Sequence, residues 1–170
     1  MDLGPLRPWL VLVHVLAVLA FVLLHGASAS VAFRLRSERE PARIRALLEL
    51  SNAYLNWTYG ALALLLLSGI LAGIAGGWWT SGRLWLWVSV GLLVAIFVGM
   101  YGLAAPYFES LRHAVGLQTY SDVREKRDPP PPATATELAA LLDSPRPALI
   151  AVIGLGGIGL IAGLMILKPF

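Results

Sequence analysis

Four long apolar stretches alternate with polar segments along the chain. The first covers residues 8–33, and similar runs cover about 54–76, 84–105 and 148–167. Because about 20 helical residues cross the hydrocarbon core of a bilayer, each run is long enough to span it. We therefore predict an all-α integral membrane protein, a four-helix bundle that forms one domain over residues 1–170.

The composition agrees with a membrane protein and excludes several functions. Hydrophobic residues make up 58% of the chain and charged residues 14%, and the net charge is +3. The basic residues lie between the apolar runs, so they indicate membrane orientation rather than a nucleic-acid partner. The chain has no cysteine, which excludes disulfides, thiolate catalysis and cysteine metal sites. The lipid bilayer is the expected partner.

The basic residues predict how the bundle is oriented. Ten of the 13 lie in residues 34–53 and 106–147, and basic loops stay in the cytoplasm. Both termini are then outside, and the host membrane is expected to be a bacterial inner membrane. Five tryptophans would form an aromatic belt at the outer interface, with a quinone or porphyrin pocket as the alternative interpretation. They are Trp9, Trp78, Trp79, Trp85 and Trp87.

Polar residues and prolines predict where helices begin and end. Ser37-x-x-Glu40 and Thr134-x-x-Glu137 match the capping box, which opens a helix. Pro106 should kink or end the third helix, because proline cannot donate the helical hydrogen bond. Residues 128–132, an aspartate and four prolines, should be extended.

Two glycine pairs are predicted to pack helices together. Gly69-x-x-x-Gly73 and Gly159-x-x-x-Gly163 have the spacing that lets helix backbones approach closely in a bilayer. Packing within the bundle is the first interpretation, and homodimerisation is the alternative. The run from Gly154 to Gly159 spells the dinucleotide-binding pattern G-x-G-x-x-G. It lies inside an apolar span rather than after a strand, so helix packing explains it better.

Two histidines, His14 and His25, lie inside the first apolar stretch and are the candidate cofactor-binding residues. Ionisable side chains at this depth are costly and mark functional sites. Eleven positions separate them, so they share one helix face but lie about 16 Å apart and cannot share one metal ion. His113 would lie roughly 24 Å away in depth from His25, which argues against a bis-histidine haem.

The histidines have two interpretations. In one, both are hydrogen-bonded interior residues, since buried polar groups need partners. The predicted partners are Ser68 or Ser89 for His14, and Tyr59 or Tyr101 for His25. In the other, His14 or His25 is the single axial ligand of a haem b or of a metal ion.

The two ends of the chain resemble a superfamily of small four-helix membrane proteins. The resemblance rests on Val13-His14-Val15-Leu16, followed by an arginine-rich turn, and on the closing run from Met165 to Lys168-Pro169-Phe170. The superfamily includes HemJ-type protoporphyrinogen oxidases, the membrane domain of CopD copper-resistance proteins and an uncharacterised branch. The resemblance implies that His14 matches the first-helix histidine that the HemJ branch uses for haem binding and activity.

One departure argues against porphyrinogen oxidation. The HemJ branch opens its third span with Trp-x-His-x-x-Lys, whereas this chain has Trp85-Leu-Trp87-Val-Ser89, without histidine or lysine. The chain is nearer the uncharacterised branch. We therefore expect a non-catalytic structural or accessory subunit of a membrane assembly, with no catalytic residue assigned. The alternative is a haem- or metal-binding redox protein that uses a first-helix histidine.

Overall fold

The computed structural model describes residues 3–80 and 82–169, and all regular structure within these ranges is helical. A 3₁₀ turn, Gly4–Leu6, precedes the first α-helix, and a π-helical segment, Val152–Gly156, joins the last two. The α-helices are α1 (Arg7–Ser37), α2 (Pro41–Ala75), α3 (Leu84–Ala114), α4 (Tyr120–Glu125), α5 (Ala135–Leu142), α6 (Arg146–Ala151) and α7 (Gly157–Leu167).

Four helical segments of the described chain are long and apolar enough to cross a membrane. They are Gly4–Ser37, Pro41–Ala75, Leu84–Ala114 and Ala135–Leu167. Each contains one of the spans predicted from hydropathy. The prediction of an all-α membrane protein with four apolar helices is therefore confirmed.

The long helices pack as two pairs. α1 and α2 form an antiparallel hairpin along their length, and α3 packs against α6, the π-helical segment and α7. Arg39 of the α1–α2 turn forms an ion pair of 2.7 Å with Asp143, in the segment that connects α3 to α6. These two connections therefore meet at one end of the bundle. We call this the connector end, and it comprises residues 38–40 and 115–145. The opposite end, with both ends of the described chain and residues 76–80 and 82–83, is the terminal end.

The largest buried core lies at the connector end rather than midway along the bundle. It combines the C-terminal parts of α1 and α3 and the N-terminal part of α2 with α5 and the start of α6. The core residues are Val31, Leu35, Ile44, Leu48, Tyr107, Leu111, Ala114, Val115, Leu138, Leu142 and Ile150. In the most apolar stretches of the four long helices, by contrast, only 6% to 17% of the residues are buried. The connector end is thus packed like a water-soluble domain.

One predicted helix start is confirmed and another is wrong. Thr134 caps α5, and its side chain and that of Glu137 make the reciprocal bonds of a capping box. Ser37 instead ends α1 and donates its hydroxyl to the carbonyl of Arg34 at 3.0 Å. Glu38 accepts the backbone N–H groups of Arg39 and Glu40 in the turn before α2, which begins at Pro41 without a side-chain cap. These bonds lower the pKa of Glu38.

Pro106 does not end the third helix, which continues to Ala114. The residues beyond it are the reason, because Tyr107 and Leu111 are fully buried in the connector core. Their burial outweighs the one backbone hydrogen bond that proline cannot donate. Residues 127–134 form no helix or strand, and the extended conformation of residues 128–132 stays a prediction.

Candidate functional site

His14 joins α1 to α2 through a hydrogen bond to the backbone. Its Nδ1 lies 3.0 Å from the carbonyl oxygen of Leu65 and 3.3 Å from the hydroxyl oxygen of Ser68. Ser68 donates its own hydroxyl to the carbonyl of Leu64 at 2.6 Å, so it is free to accept from the imidazole. The predicted contact between His14 and Ser68 is therefore present. The other predicted partner, Ser89, donates to Trp85 instead.

The carbonyl partner fixes the tautomer of His14. A carbonyl oxygen only accepts, so Nδ1 carries a proton, and in the neutral imidazole Nε2 is then the acceptor. Nε2 makes no hydrogen bond with any residue in the described ranges. A histidine held in this way by Nδ1 presents the nitrogen that typically binds iron or another metal.

Gly69 makes room for the His14 ring. A Cβ atom at position 69 would lie 2.9 Å from His14 Cε1 and 3.2 Å from Nδ1. Real side-chain atoms do not approach so closely, so α1 and α2 can meet here only because residue 69 is glycine. Leu65, Ser68 and Gly69 lie three and four positions apart, which places all three on one face of α2.

His25 has a different environment. Its ring stacks on Phe21, with the centroids 5.6 Å apart and the planes at 13°. Its Nε2 is buried and has no hydrogen-bond partner among the described residues. The predicted tyrosine partners are wrong, because Tyr59 and Tyr101 are 55% and 72% exposed and bond to neither nitrogen. In the bilayer their rings would face lipid.

Gly154, in the π-helical segment, packs directly on His25. A Cβ at position 154 would lie 2.7 Å from His25 Nε2 and 3.5 Å from Met100 Sδ. Met100 was not among the sequence-predicted residues, because nothing in its spacing pointed to His25. The π-helical turn widens the last apolar helix, formed by α6, the π-helical segment and α7, at this position. Such turns are frequent at functional sites.

His113 belongs to a separate polar cluster at the connector end. Its Nε2 donates to Asp122 Oδ2 at 2.7 Å, and the same oxygen accepts the backbone N–H and the hydroxyl of Thr119. The hydrogen bonds from Thr119, followed by that from His113, hold the pKa of Asp122 well below its usual range. His113 is thus engaged away from both α1 histidines. Thr119 and Asp122 form a capping box that the sequence spacing T-x-x-D could have revealed.

The two predicted glycine pairs have unlike surroundings. A Cβ at Gly73 would overlap the indole nitrogen of Trp79, so this glycine accommodates a side chain of the α2–α3 connection. Cβ atoms at Gly159 and Gly163 would meet nothing within 4 Å among the described residues. The role of the second pair in helix packing therefore stays a prediction.

Four of the five tryptophans of the predicted belt cluster at the terminal end. Trp78 packs edge-on against Trp85, and Trp79 against Trp87. Arg7 and Lys168 lie over the Trp78 ring, with their charged groups 5.3 and 5.5 Å from its centroid. These cation–π contacts join both ends of the described chain to the α2–α3 connection.

The fit of a haem to this site is incomplete. His14 Nε2 suits one axial bond, but the cavity beside Pro132 and the cavity beside Trp79 touch neither His14 nor His25. One cavity of about 320 Å³ lies at the connector end, and one of about 180 Å³ lies beside Trp79. Within the described residues, no group of three histidine, aspartate or glutamate side chains could hold a metal ion.

Comparison with protein-family models, with curated proteins and with solved structures finds no significant match for this chain. The fold and the site together define a small polytopic membrane protein with one backbone-anchored histidine between its first two helices. Phe170, the last residue of the closing motif, lies outside the described residues.

Proposed function

We propose that this protein is a non-catalytic, structural or accessory subunit of a membrane assembly. The observation that carries the proposal is the unpartnered glycine face formed by the end of the π-helical segment and α7. Gly156, Gly159 and Gly163 have open space where a Cβ would be, as far as the described residues go. Their spacing of three and four positions puts them on one side of the rod. Small residues on such a face let another membrane helix approach closely.

The opposite side of the same rod is already used inside the bundle. Gly154 packs on His25, and a Cβ at Gly157 would overlap the side chain of Ile96. The last apolar helix therefore has two glycine faces. The face with Gly154 and Gly157 contacts α1 and α3. The other face is available to a partner helix, either from a larger complex or from a second copy of this chain.

The proposed orientation follows from charge. The connector end and its flanking helix turns carry 10 of the 13 basic residues. Basic segments are retained in the cytoplasm, so the connector end is inside and both termini are outside. We propose a bacterial inner membrane as the location.

The proposal is tested by the size of the assembly in mild detergent. The tagged chain, expressed in its own host, should migrate on native electrophoresis well above its own 18.3 kDa plus detergent. Gly159→Ile and Gly163→Ile should shift it to the monomer position, because a large side chain separates the helices. Gly102→Ile is the matched control, since Gly102 is also an exposed helical glycine with open space.

Two results would contradict the proposal. The wild-type chain could run as a monomer, or the three substitutions could change its migration equally. An assembly of twice the chain mass that responds to the α7 substitutions would identify the partner as a second copy.

A second candidate function is supported by the tautomer of His14. Its Nδ1–H is held by the Leu65 carbonyl, which leaves Nε2 as the ligand of a haem b or of a metal ion. Bound iron would supply one-electron redox chemistry, and His14 would hold and orient it. Membership of the HemJ/CopD-like superfamily, which we also propose, agrees with this role for His14. Trp87 and Val90 occupy the positions where the HemJ branch has its histidine and lysine, so the resemblance fails there.

The haem candidate is tested by an absorption spectrum of detergent-purified protein expressed with ample haem. A Soret band that is lost in His14→Ala and kept in His25→Ala would support it. A spectrum without a Soret band would eliminate haem. A band that survives His14→Ala would move the ligand elsewhere.

A further inference from the structure

A cavity at the connector end has room for a small molecule. Its volume is about 320 Å³, and it lies between the start of α2, the end of α3, the proline-rich segment of residues 127–134, and α5. The Ala133 N–H donates to the Ala114 carbonyl at 3.0 Å, so the proline-rich segment is fastened to the end of α3. Small-molecule sites are typically cavities of about 300–1,000 Å³, and this cavity is within that range.

The side chains that line the cavity are apolar apart from two arginines. Val115, Pro132 and Leu138 form apolar walls, and Arg39 and Arg45 are the charged residues. None of the described residues in the lining is acidic. Ligand sites typically combine apolar walls with a few polar groups that orient the ligand. The lining therefore suits a molecule with one anionic group on an apolar body.

Arg45 has the hydrogen-bond donors for such an anion. Val115 is the C-cap of α3, and the last carbonyls of a helix lack intrahelical partners. Arg45 Nε donates to the Val115 carbonyl at 2.6 Å, which holds the guanidinium at the cavity. Its two Nη groups make no hydrogen bond or ion pair with a described residue. A guanidinium can donate two parallel N–H bonds to a phosphate or a carboxylate.

The charge around the cavity favours phosphate. Arg39 adds a second positive charge to the lining, which Asp143 balances at 2.7 Å. α2 begins at Pro41, which also lines the cavity, and this helix has no side-chain cap. The N-terminus of a helix carries partial positive charge and is a common phosphate site. Arg45 and this helix start together suit a phosphate group, which carries about −1.5 to −2 charges at neutral pH.

The depth of the cavity favours a water-soluble ligand over a lipid. Arg45 precedes the second apolar span, residues 54–76, by nine positions, and Ala114 follows the third, residues 84–105, by nine. At 1.5 Å per helical residue, both lie about 14 Å beyond the apolar spans. The headgroup layer of a bilayer is only roughly 5–8 Å thick on each side. The cavity is therefore reached from the water.

We propose that the cavity binds a water-soluble organic monophosphate. The Nη groups of Arg45 donate to the phosphate oxygens, and the walls formed by Val115, Pro132 and Leu138 contact the organic part. This site goes beyond the accessory-subunit function and does not depend on it.

Binding is tested by titration calorimetry of the detergent-purified full chain with phenyl phosphate. One molecule per chain should bind, at least tenfold more tightly than inorganic phosphate, which lacks the apolar body, or benzyl alcohol, which lacks the charge. Arg45→Gln should weaken binding at least tenfold, because the paired donors are lost. Ala139→Leu should weaken it by a similar factor, because Ala139 lines the cavity and a larger side chain would fill part of it.

The chain provides a matched control for each substitution. Arg43→Gln removes a neighbouring arginine that pairs with Glu40 and does not line the cavity. Ala140→Leu enlarges an exposed α5 residue that lies outside the lining. Both variants should bind phenyl phosphate like the wild type. Melting temperatures would separate loss of binding from loss of folding, and the comparison of ligands on the wild type needs no variant.

Competition distinguishes the two sources of a phosphate group. Phosphatidylglycerol, added to the micelles in the same amount as phenyl phosphate, should leave the binding of phenyl phosphate unchanged. Displacement of phenyl phosphate by this lipid would show that a lipid headgroup occupies the cavity, and would overturn the assignment to a water-soluble ligand.

Three further results would overturn the proposal. Phenyl phosphate could fail to bind, it could bind no more tightly than inorganic phosphate, or Arg45→Gln and Arg43→Gln could weaken binding equally. The last result would indicate general attraction to the basic connector end rather than a site at Arg45. None of these results bears on the size of the assembly, so the accessory-subunit proposal is tested separately.

Discussion

The contact between Gly69 and His14 supports a quantitative prediction. In Gly69→Ala the new methyl group would lie 2.9 Å from His14 Cε1, closer than carbon atoms approach each other. The ring cannot withdraw freely, because its Nδ1 is held 3.0 Å from the Leu65 carbonyl. The substitution must therefore either stretch this hydrogen bond or separate α1 from α2.

The magnitude follows from two opposing terms. Overpacking costs about 1–3 kcal/mol, whereas replacing a helical glycine by alanine gains up to about 1 kcal/mol. We expect a net destabilisation of about 1 kcal/mol in Gly69→Ala. Gly60→Ala, on the same helix with nothing within 4 Å of the new methyl among the described residues, should be neutral or slightly stabilising.

A double-mutant cycle measures the contact directly. Equilibrium unfolding in mixed detergent micelles, followed by tryptophan fluorescence, would give the free energy of each variant. In a His14→Ala background the cost of Gly69→Ala should disappear, which corresponds to a coupling of at least about 0.5 kcal/mol. Equal effects at positions 60 and 69, or an undiminished cost in the His14→Ala background, would refute the described packing of α1 on α2.

Three further predictions concern the connector end. Folding lowers the pKa of Asp122, so the ionised carboxylate stabilises the folded protein. This stabilisation should be complete above about pH 4, the ordinary aspartate pKa, and should be lost as the pH falls through the pKa of the folded state. Hydrogen exchange of residues 115–127 against pH would follow this loss, and Asp122→Asn should abolish its pH dependence. Thr134→Ala should destabilise by about 1 kcal/mol through loss of the helix cap, whereas Ser37→Ala should cost almost nothing, as thermal melts would show. Leu111→Ala should cost about 3 kcal/mol in denaturant unfolding, and Leu23→Ala, which is 73% exposed, much less.

The sequence was sufficient for the features that depend on local pattern. Hydropathy located all four long helices, because an apolar run of 20 residues has few alternatives to crossing a bilayer. Thr134-x-x-Glu137 located the start of α5, since both partners of the capping box are local. The contact between His14 and Ser68 was also predictable, because few polar groups exist at that depth.

The features that depend on helix rotation were not predictable. The long helices are apolar around most of their circumference, so periodicity does not indicate which side faces inward. Depth alone therefore predicts that Tyr59 and Tyr101 reach His25, whereas both side chains are exposed on the outside of the bundle. Met100 of α3 and Gly154 of the π-helical segment lie beside His25 instead, and no sequence signal indicated the π-helical segment.

Competition between local groups explains the remaining differences. Ser37 has the spacing of a cap, but its hydroxyl donates to the carbonyl of Arg34, and α2 begins at Pro41 without a side-chain cap. Pro106 has the properties of a helix end, but the burial of Tyr107 and Leu111 keeps the helix continuous. In both cases a residue one or a few positions away determined the outcome.

The orientation of the bundle is the central claim, and the absence of cysteine makes it directly measurable. Two single-cysteine variants, Thr80→Cys on the terminal end and Asp128→Cys on the connector end, would be treated with a membrane-impermeant maleimide, first in intact cells and then after lysis. The account predicts labelling of Thr80→Cys before lysis and of Asp128→Cys only after it. Labelling of Asp128→Cys in intact cells, or of neither variant after lysis, would contradict it.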